Sequence, residues 1–115
     1  MRAYELMIIA DGDLEESDVS HLVNSTTKQV EEAEGTIASV DKWGKRRFAY
    51  EINKKTEGYY IVLEVLAEGG ALDNLERNLR LADEVVRHKL IRLPDHEADR
   101  RGLFGGAEAT PVEAG

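Results

Sequence analysis

The 115-residue chain contains no cysteine. Without thiols there is no disulfide framework, no thiolate metal site and no cysteine nucleophile, as suits a reducing compartment. No apolar run approaches the about 18 residues that a membrane span needs, and no basic segment leads into an apolar one at the start. The expectation is a soluble, unexported protein with no membrane partner. Positive charge is also short overall: 15 basic against 23 acidic side chains leave a net charge of -8. Taken alone, that balance argues against a polyanionic partner, because phosphates are neutralised by Lys and Arg.

Catalytic chemistry is missing too. His21, His88 and His96 show no metal-ligand spacing, and each reads as a satisfied or solvent-facing histidine. The serines lack a nucleophile-elbow context. No pattern sets two carboxylates across a cleft for acid/base work, and Gly69-Gly70 lacks the lysine and hydroxyl of a phosphate loop. The sequence predicts no catalytic residue, no metal, no cofactor and no small-molecule substrate. It does not read as an enzyme.

What is present is one short domain's worth of chain with an uneven charge distribution. Residues 41–60 carry six basic and three acidic side chains, a net of +3, and residues 85–101 carry five and three, a net of +2. A polyanion responds to the local field and not to the total. The first basic block holds the only tryptophan, in Trp43-Gly44-Lys45-Arg46-Arg47-Phe48-Ala49-Tyr50.

Hydrophobic periodicity gives the elements. Arg2 to Ala10 reads as a strand. Asp13 with Glu16 has the form of a capping box. A helix follows, with its apolar stripe at Val19, Leu22, Val23, Thr26, Val30 and Ala33 and an acidic opposite face; Gly35 would end it as a left-handed cap. A strand begins at Thr36, bends at Trp43-Gly44 and resumes through Phe48, Ala49, Tyr50 and Ile52. Asn53 to Gly58 reads as a polar loop, and Tyr59 to Ala67 as the best strand. Ala71 to Leu81 is a second helix and Val85 to Leu93 a last strand, stopped by Pro94. From Asp95 the composition turns to Gly, Ala, Glu, Asp and Pro without a period, which predicts a flexible C-terminal tail over 95–115 and a folded domain over 1–94.

Strand, helix, strand, strand, helix, strand predicts an α+β, ferredoxin-like domain: a four-stranded antiparallel sheet with two helices on one face. The first and third strands should lie centrally, leaving the opposite face or a sheet edge for binding. Along a strand alternate side chains point to opposite faces, so Lys45 and Arg47 share a face that Arg46 does not. Arg87 and Lys89 share one as well, which Arg2 could join by pairing of the first and last strands. Guanidinium groups grip phosphate bidentately and stack on bases, and Tyr60 could serve as a stacking platform. The plainer alternatives are that these arginines pair with local acids such as Glu5 or Glu64, and that Tyr60 is an ordinary half-buried sheet tyrosine.

Four motifs in order carry a resemblance. Met1-Arg2-Ala3-Tyr4-Glu5, Trp43 to Ile52, Gly58-Tyr59-Tyr60, and Leu75-Glu76-Arg77-Asn78-Leu79-Arg80-Leu81 with Val85-Val86-Arg87 resemble the bacterial small-subunit ribosomal protein numbered six, the S-six family. The match covers about residues 1–93, and its specificity lies in the order and spacing of the motifs. The resemblance implies a cytoplasmic, ribosome-bound structural protein of translation. It would bind small-subunit ribosomal RNA together with its neighbour S-eighteen in the platform region.

Carried over residue by residue, Arg2, Arg46, Arg47, Arg80 and Arg87 match basic positions of the family, and Arg92 stands where a basic residue is frequent. Arg2, Arg80, Arg87, Arg92 and Tyr60 are assigned to RNA; Lys45, Arg46, Arg47 and Phe48 are assigned to the partner or RNA. The chain departs from the family at Asp11-Gly12 and Glu51, where proline is frequent, and at His88, where an aromatic or aliphatic residue is usual. In the tail, Arg100-Arg101-Gly102-Leu103-Phe104-Gly105 has the form of a short motif that folds on a partner, with Leu103 and Phe104 as anchors; the plainer alternative is an inert tail. A ligand-sensing domain that dimerises through its sheet is the reading from another class, but it gives no reason for the Trp-Gly-Lys-Arg-Arg stretch.

Overall fold

The computed structural model describes residues 1–103. Along them run β1 (Arg2–Asp11), α1 (Glu16–Glu32), β2 (Thr36–Ile52), β3 (Lys55–Ala67), α2 (Asp73–Leu81), β4 (Val85–Leu93) and α3 (Asp95–Arg100). The strands form one antiparallel sheet in the order β2-β3-β1-β4. The first and third strands are central, and the ferredoxin-like arrangement holds.

Period-two burial assigns the faces. Tyr4, Leu6, Ile8 and Ala10 of β1 and Ile61, Leu63, Val65 and Ala67 of β3 meet Val19, Leu22, Val23 and Val30 of α1 and Leu75 and Leu79 of α2 in one core. Thr26 on that stripe is fully buried, and its hydroxyl donates to the Leu22 carbonyl at 2.8 Å, so it adds no unsatisfied group. His88 lies 3.3 Å from Glu76 of α2. The histidine that departs from the family thus ties the last strand to a helix.

Several local expectations are corrected. The helix cap is Glu15, whose backbone N–H donates to the Asp18 carboxylate at 3.1 Å, two residues beyond the expected box. Asp13 instead closes the preceding turn, donating its N–H to Asp11 Oδ1 at 2.9 Å. The left-handed residue after α1 is Glu34 (φ 65°), not Gly35.

The loop expected over 53–58 is a two-residue turn. Asn53 and Lys54 both have positive φ (50° and 65°), the pairing a tight hairpin favours because its twist matches the strands. The hairpin tip then reaches over the end of β1 to the start of β4. Asn53 Nδ2 donates to the Val86 carbonyl at 2.9 Å, and Lys55 Nζ lies 3.0 Å from Asp11 and 3.7 Å from Asp13. The Asp13 N–H, and then Lys55, hold the Asp11 carboxyl below its ordinary value against the opposing effect of burial; Asp11 in turn raises Lys55.

The largest correction concerns the tail. Residues Asp95–Arg100 form a helix, and Ala98 and Leu103 are buried with Ala3 and Leu93 against Ala38 and Leu66. Packing therefore continues past position 94 on the sheet face away from α1 and α2. Composition hid this because one alanine in the helical turn and one leucine just after it suffice to seat the segment.

Candidate nucleic-acid and partner interface

The register places the sheet's second face in rows, since directly opposed residues share a face. Reading from β2 to β4, one row holds Gly44, Tyr60, Ile9 and Arg87, and the next holds Asp41, Val62, Met7 and Lys89. A third holds Ser39, Glu64, Glu5 and Ile91, and the last holds Thr36, Leu66, Ala3 and Leu93. Beyond the first row, Arg46 stands opposite Gly58. The face is therefore cationic and aromatic at one end, acidic and apolar at the other.

The cationic end is built around a bulge. Gly44 has φ 89°, a left-handed conformation that a side chain would strain, and the β2–β3 register shifts between Lys42 and Gly44. The bulge lays Trp43 over Tyr60, with ring centroids 6.0 Å apart and planes 6° from parallel. Phe48 meets Tyr60 edge-on at 6.2 Å. The indole N–H donates to Asp41 at 3.0 Å, and the Arg46 guanidinium lies 5.6 Å from the Trp43 ring. Trp43 remains 43% exposed while Phe48 is 8% exposed. Phe48, expected at a contact surface, is thus a support beneath Tyr60, and Trp43 with Arg46 offers the accessible stack.

The remaining expected residues do not all converge on this face. Arg87 lies in the same row as Tyr60. Lys45 and Arg47 pair with Tyr59 and Glu57 and face the helix side, where Lys45 sits 5.5 Å from the Tyr59 ring and 3.9 Å from Glu57. Arg2, opposite Ala67, and Arg92, opposite Tyr4, also face the helix side, so Arg2 does not join Arg87 and Lys89. Arg80 is exposed in the last turn of α2. These arginines therefore lie on different surfaces of the domain.

Among the described residues, Arg2, Arg46, Arg47, Arg80, Arg87 and Arg92 make no ion pair. The acids expected to neutralise them are taken by a residue that sequence reasoning left in the tail. Arg101 Nη1 lies 2.8 Å from Glu64 and 3.7 Å from Glu5, while its Nε donates to Glu97 at 2.7 Å. Leu103, expected as a partner anchor, is likewise committed to the chain's own core, and Phe104 lies outside the described residues. The basic pair at 100–101 was the available signal for this clasp, but nothing in its spacing named Glu5 and Glu64 as targets.

Arg100 and then Arg101 hold the Glu97 carboxyl below its ordinary value, and Glu97 foremost raises Arg101. Both arginines belong to the same short segment, so the lowered carboxylate stabilises the local helix of α3, fully above its ordinary pKa and with that contribution lost as pH falls through the lowered one. Acidification below the usual carboxylate range is therefore expected to fray the helical turn of α3 before the sheet unfolds. Amide exchange at Ala98 and Leu103 during an acid titration checks this; protection that persists until global unfolding would contradict it.

Among the described residues, no cluster of three or more His, Cys, Asp or Glu side chains is placed to hold a metal ion, and no helix is long and apolar enough to cross a membrane. Comparison with known proteins agrees with the four-motif resemblance. The family described as Ribosomal protein S6 matches residues 3–92. The small ribosomal subunit protein bS6 of Streptomyces griseus is 45% identical over 96 residues, covering 84% of this chain and 100% of that protein. The protein of the same name from Alkaliphilus oremlandii is 46% identical over 93 residues, covering 81% and 98%. The crystal structure of 30S ribosomal protein S6 from Thermotoga maritima superposes with a TM-score of 0.81 at 36% identity, covering 90% of this chain and 97% of that one. Its relatives are ribosomal proteins and not enzymes, and the chain belongs to the ribosomal protein S6 family.

Proposed function

We propose that this protein is a structural constituent of the small ribosomal subunit that binds small-subunit ribosomal RNA jointly with ribosomal protein S-eighteen and so helps assemble the platform. The observation that supports this most is the set of arginines at family positions that make no ion pair among the described residues, within a chain of net charge -8. In a protein so acidic, a cation left beside no acid is available to phosphate.

Arg46 with Trp43, Tyr60 and Arg87 forms the RNA-directed end of the sheet face, where an unpaired base can stack and a phosphate can be gripped. β2 is an edge strand whose outer backbone groups can accept a partner segment. Arg2, Arg92 and Arg80 extend basic contacts to other sides of the domain. Acidic surface, notably the exposed face of α1, complements a basic neighbour and steers the two proteins into register.

The test is cosedimentation with the small subunit. The protein should travel with subunits at moderate salt and dissociate at high salt, as phosphate contacts demand. Arg46→Glu with Arg87→Glu should release it at lower salt than the unmodified chain. Cosedimentation indifferent to salt and to both substitutions would overturn the assignment.

A further inference from the structure

The acidic end of the second sheet face has the properties of a docking surface already filled. Glu5 and Glu64 are directly opposed on neighbouring strands and face the same way. Like charges so placed repel unless a cation lies between them. The Arg101 guanidinium supplies that cation, and Ser39 Oγ donates to the other Glu64 oxygen at 2.9 Å. Beside the carboxylates, Ala3, Leu66, Leu93 and Ala38 form an apolar shelf on which Ala98 and Leu103 rest.

The segment that fills the surface is imperfectly matched to it. Its helix spans six residues, far below the length at which an isolated helix holds its shape. It also brings three acids of its own, Asp95, Glu97 and Asp99, to a surface that already presents two. Glu97 draws on the same guanidinium that neutralises Glu5 and Glu64. A segment with the arginine and the apolar residues but without those acids would complement the surface better.

We propose that Glu5, Glu64 and the adjoining apolar shelf are a docking surface for an arginine-bearing apolar segment of a partner protein, which residues 95–103 occupy as a stand-in until the partner displaces them. The partner segment carries a small residue, an arginine three positions on and a branched apolar residue two beyond it, as in Ala98, Arg101 and Leu103. Nucleic acid is excluded, because a phosphate would meet two carboxylates. Covalent attachment gives the stand-in a high effective concentration, so a displacing segment must win on charge complementarity. The proposal is independent of where, or whether, the chain binds ribosomal RNA.

The probe is a fluorescently labelled peptide with the sequence of residues 94–103 in which Asp95, Glu97 and Asp99 are replaced by Asn, Gln and Asn. It is titrated into the full chain, with amide exchange followed at the same time. In the unmodified protein, saturating peptide should abolish protection of the Leu103 amide, which donates to the Ala98 carbonyl at 2.9 Å. A chain carrying Arg101→Gln and Leu103→Ala, its stand-in weakened, should bind the peptide about tenfold or more tightly, as expected when an intramolecular competitor is removed. Adding Glu5→Gln and Glu64→Gln should abolish binding. Peptide bound without loss of Leu103 protection in the unmodified chain, equal affinity for the unmodified and weakened chains, binding that survives both glutamine substitutions, or no binding at all would each overturn the proposal.

Discussion

Leu63→Ala is expected to lower the unfolding free energy by about 3 kcal/mol, within the range of about 2–5 kcal/mol measured for fully buried leucines. Leu63 has no exposed surface and sits on β3, a central strand, opposite Leu6 of β1 and Val40 of β2. Its side chain faces the helices inside the main core. Rigid strands on both sides limit collapse into the void, so the cavity cost adds to the lost transfer energy. At about 4–8 °C per kcal/mol for a domain of this size, the midpoint should fall by roughly 12–24 °C. Thermal unfolding followed by circular dichroism checks the value. A loss below about 1 kcal/mol would mean that the helices close over the gap.

Gly58→Ala should destabilise by about 1–2 kcal/mol, the difference between two opposed effects. Alanine restricts the unfolded chain and gains about 0.4–1 kcal/mol. Its methyl group, however, would lie 2.6 Å from the Ala10 carbonyl oxygen, 2.9 Å from Ile9 and 2.9 Å from Phe48. The carbonyl belongs to the backbone of a central strand and cannot yield alone, so the overpacking cost of about 1–3 kcal/mol wins. A second readout follows from the same contacts. Phe48 supports Tyr60, and Tyr60 carries Trp43, so the tryptophan emission of the folded variant should shift. Unchanged stability with unchanged emission would show that Phe48 does not transmit the displacement.

The sequence pattern revealed most of what hydrophobic spacing controls. The stripe from Val19 to Val30, the alternation in β3 and the strand order all depend on one-face burial, which a single sequence displays. The basic positions of β2 and β4 were legible for the same reason, since alternation alone assigns Arg46 and Arg47 to opposite faces. Three features were not. The two-residue turn at Asn53-Lys54 depends on lysine accepting positive φ, which composition does not announce. Arg2 fell on the unexpected side because the β1–β4 register, and not pairing as such, decides the face. The clasp of Arg101 on Glu5 and Glu64 joins residues far apart in sequence through a helix too short to show a period. Arg46 and Arg87 escape the expected neutralisation because they lie two or more rows along the sheet from Glu5 and Glu64, which face Arg101 instead.

Titrating small-subunit ribosomal RNA with this protein, alone and with ribosomal protein S-eighteen, tests the central claim most directly. The isolated chain should bind weakly and lose affinity steeply with salt. The partner should tighten binding by about 5–150-fold, the range of ordinary coupling free energies, and Arg46→Glu with Arg87→Glu should remove most of that affinity. Tight, specific binding by the chain alone, unaltered by those two substitutions, would contradict the account.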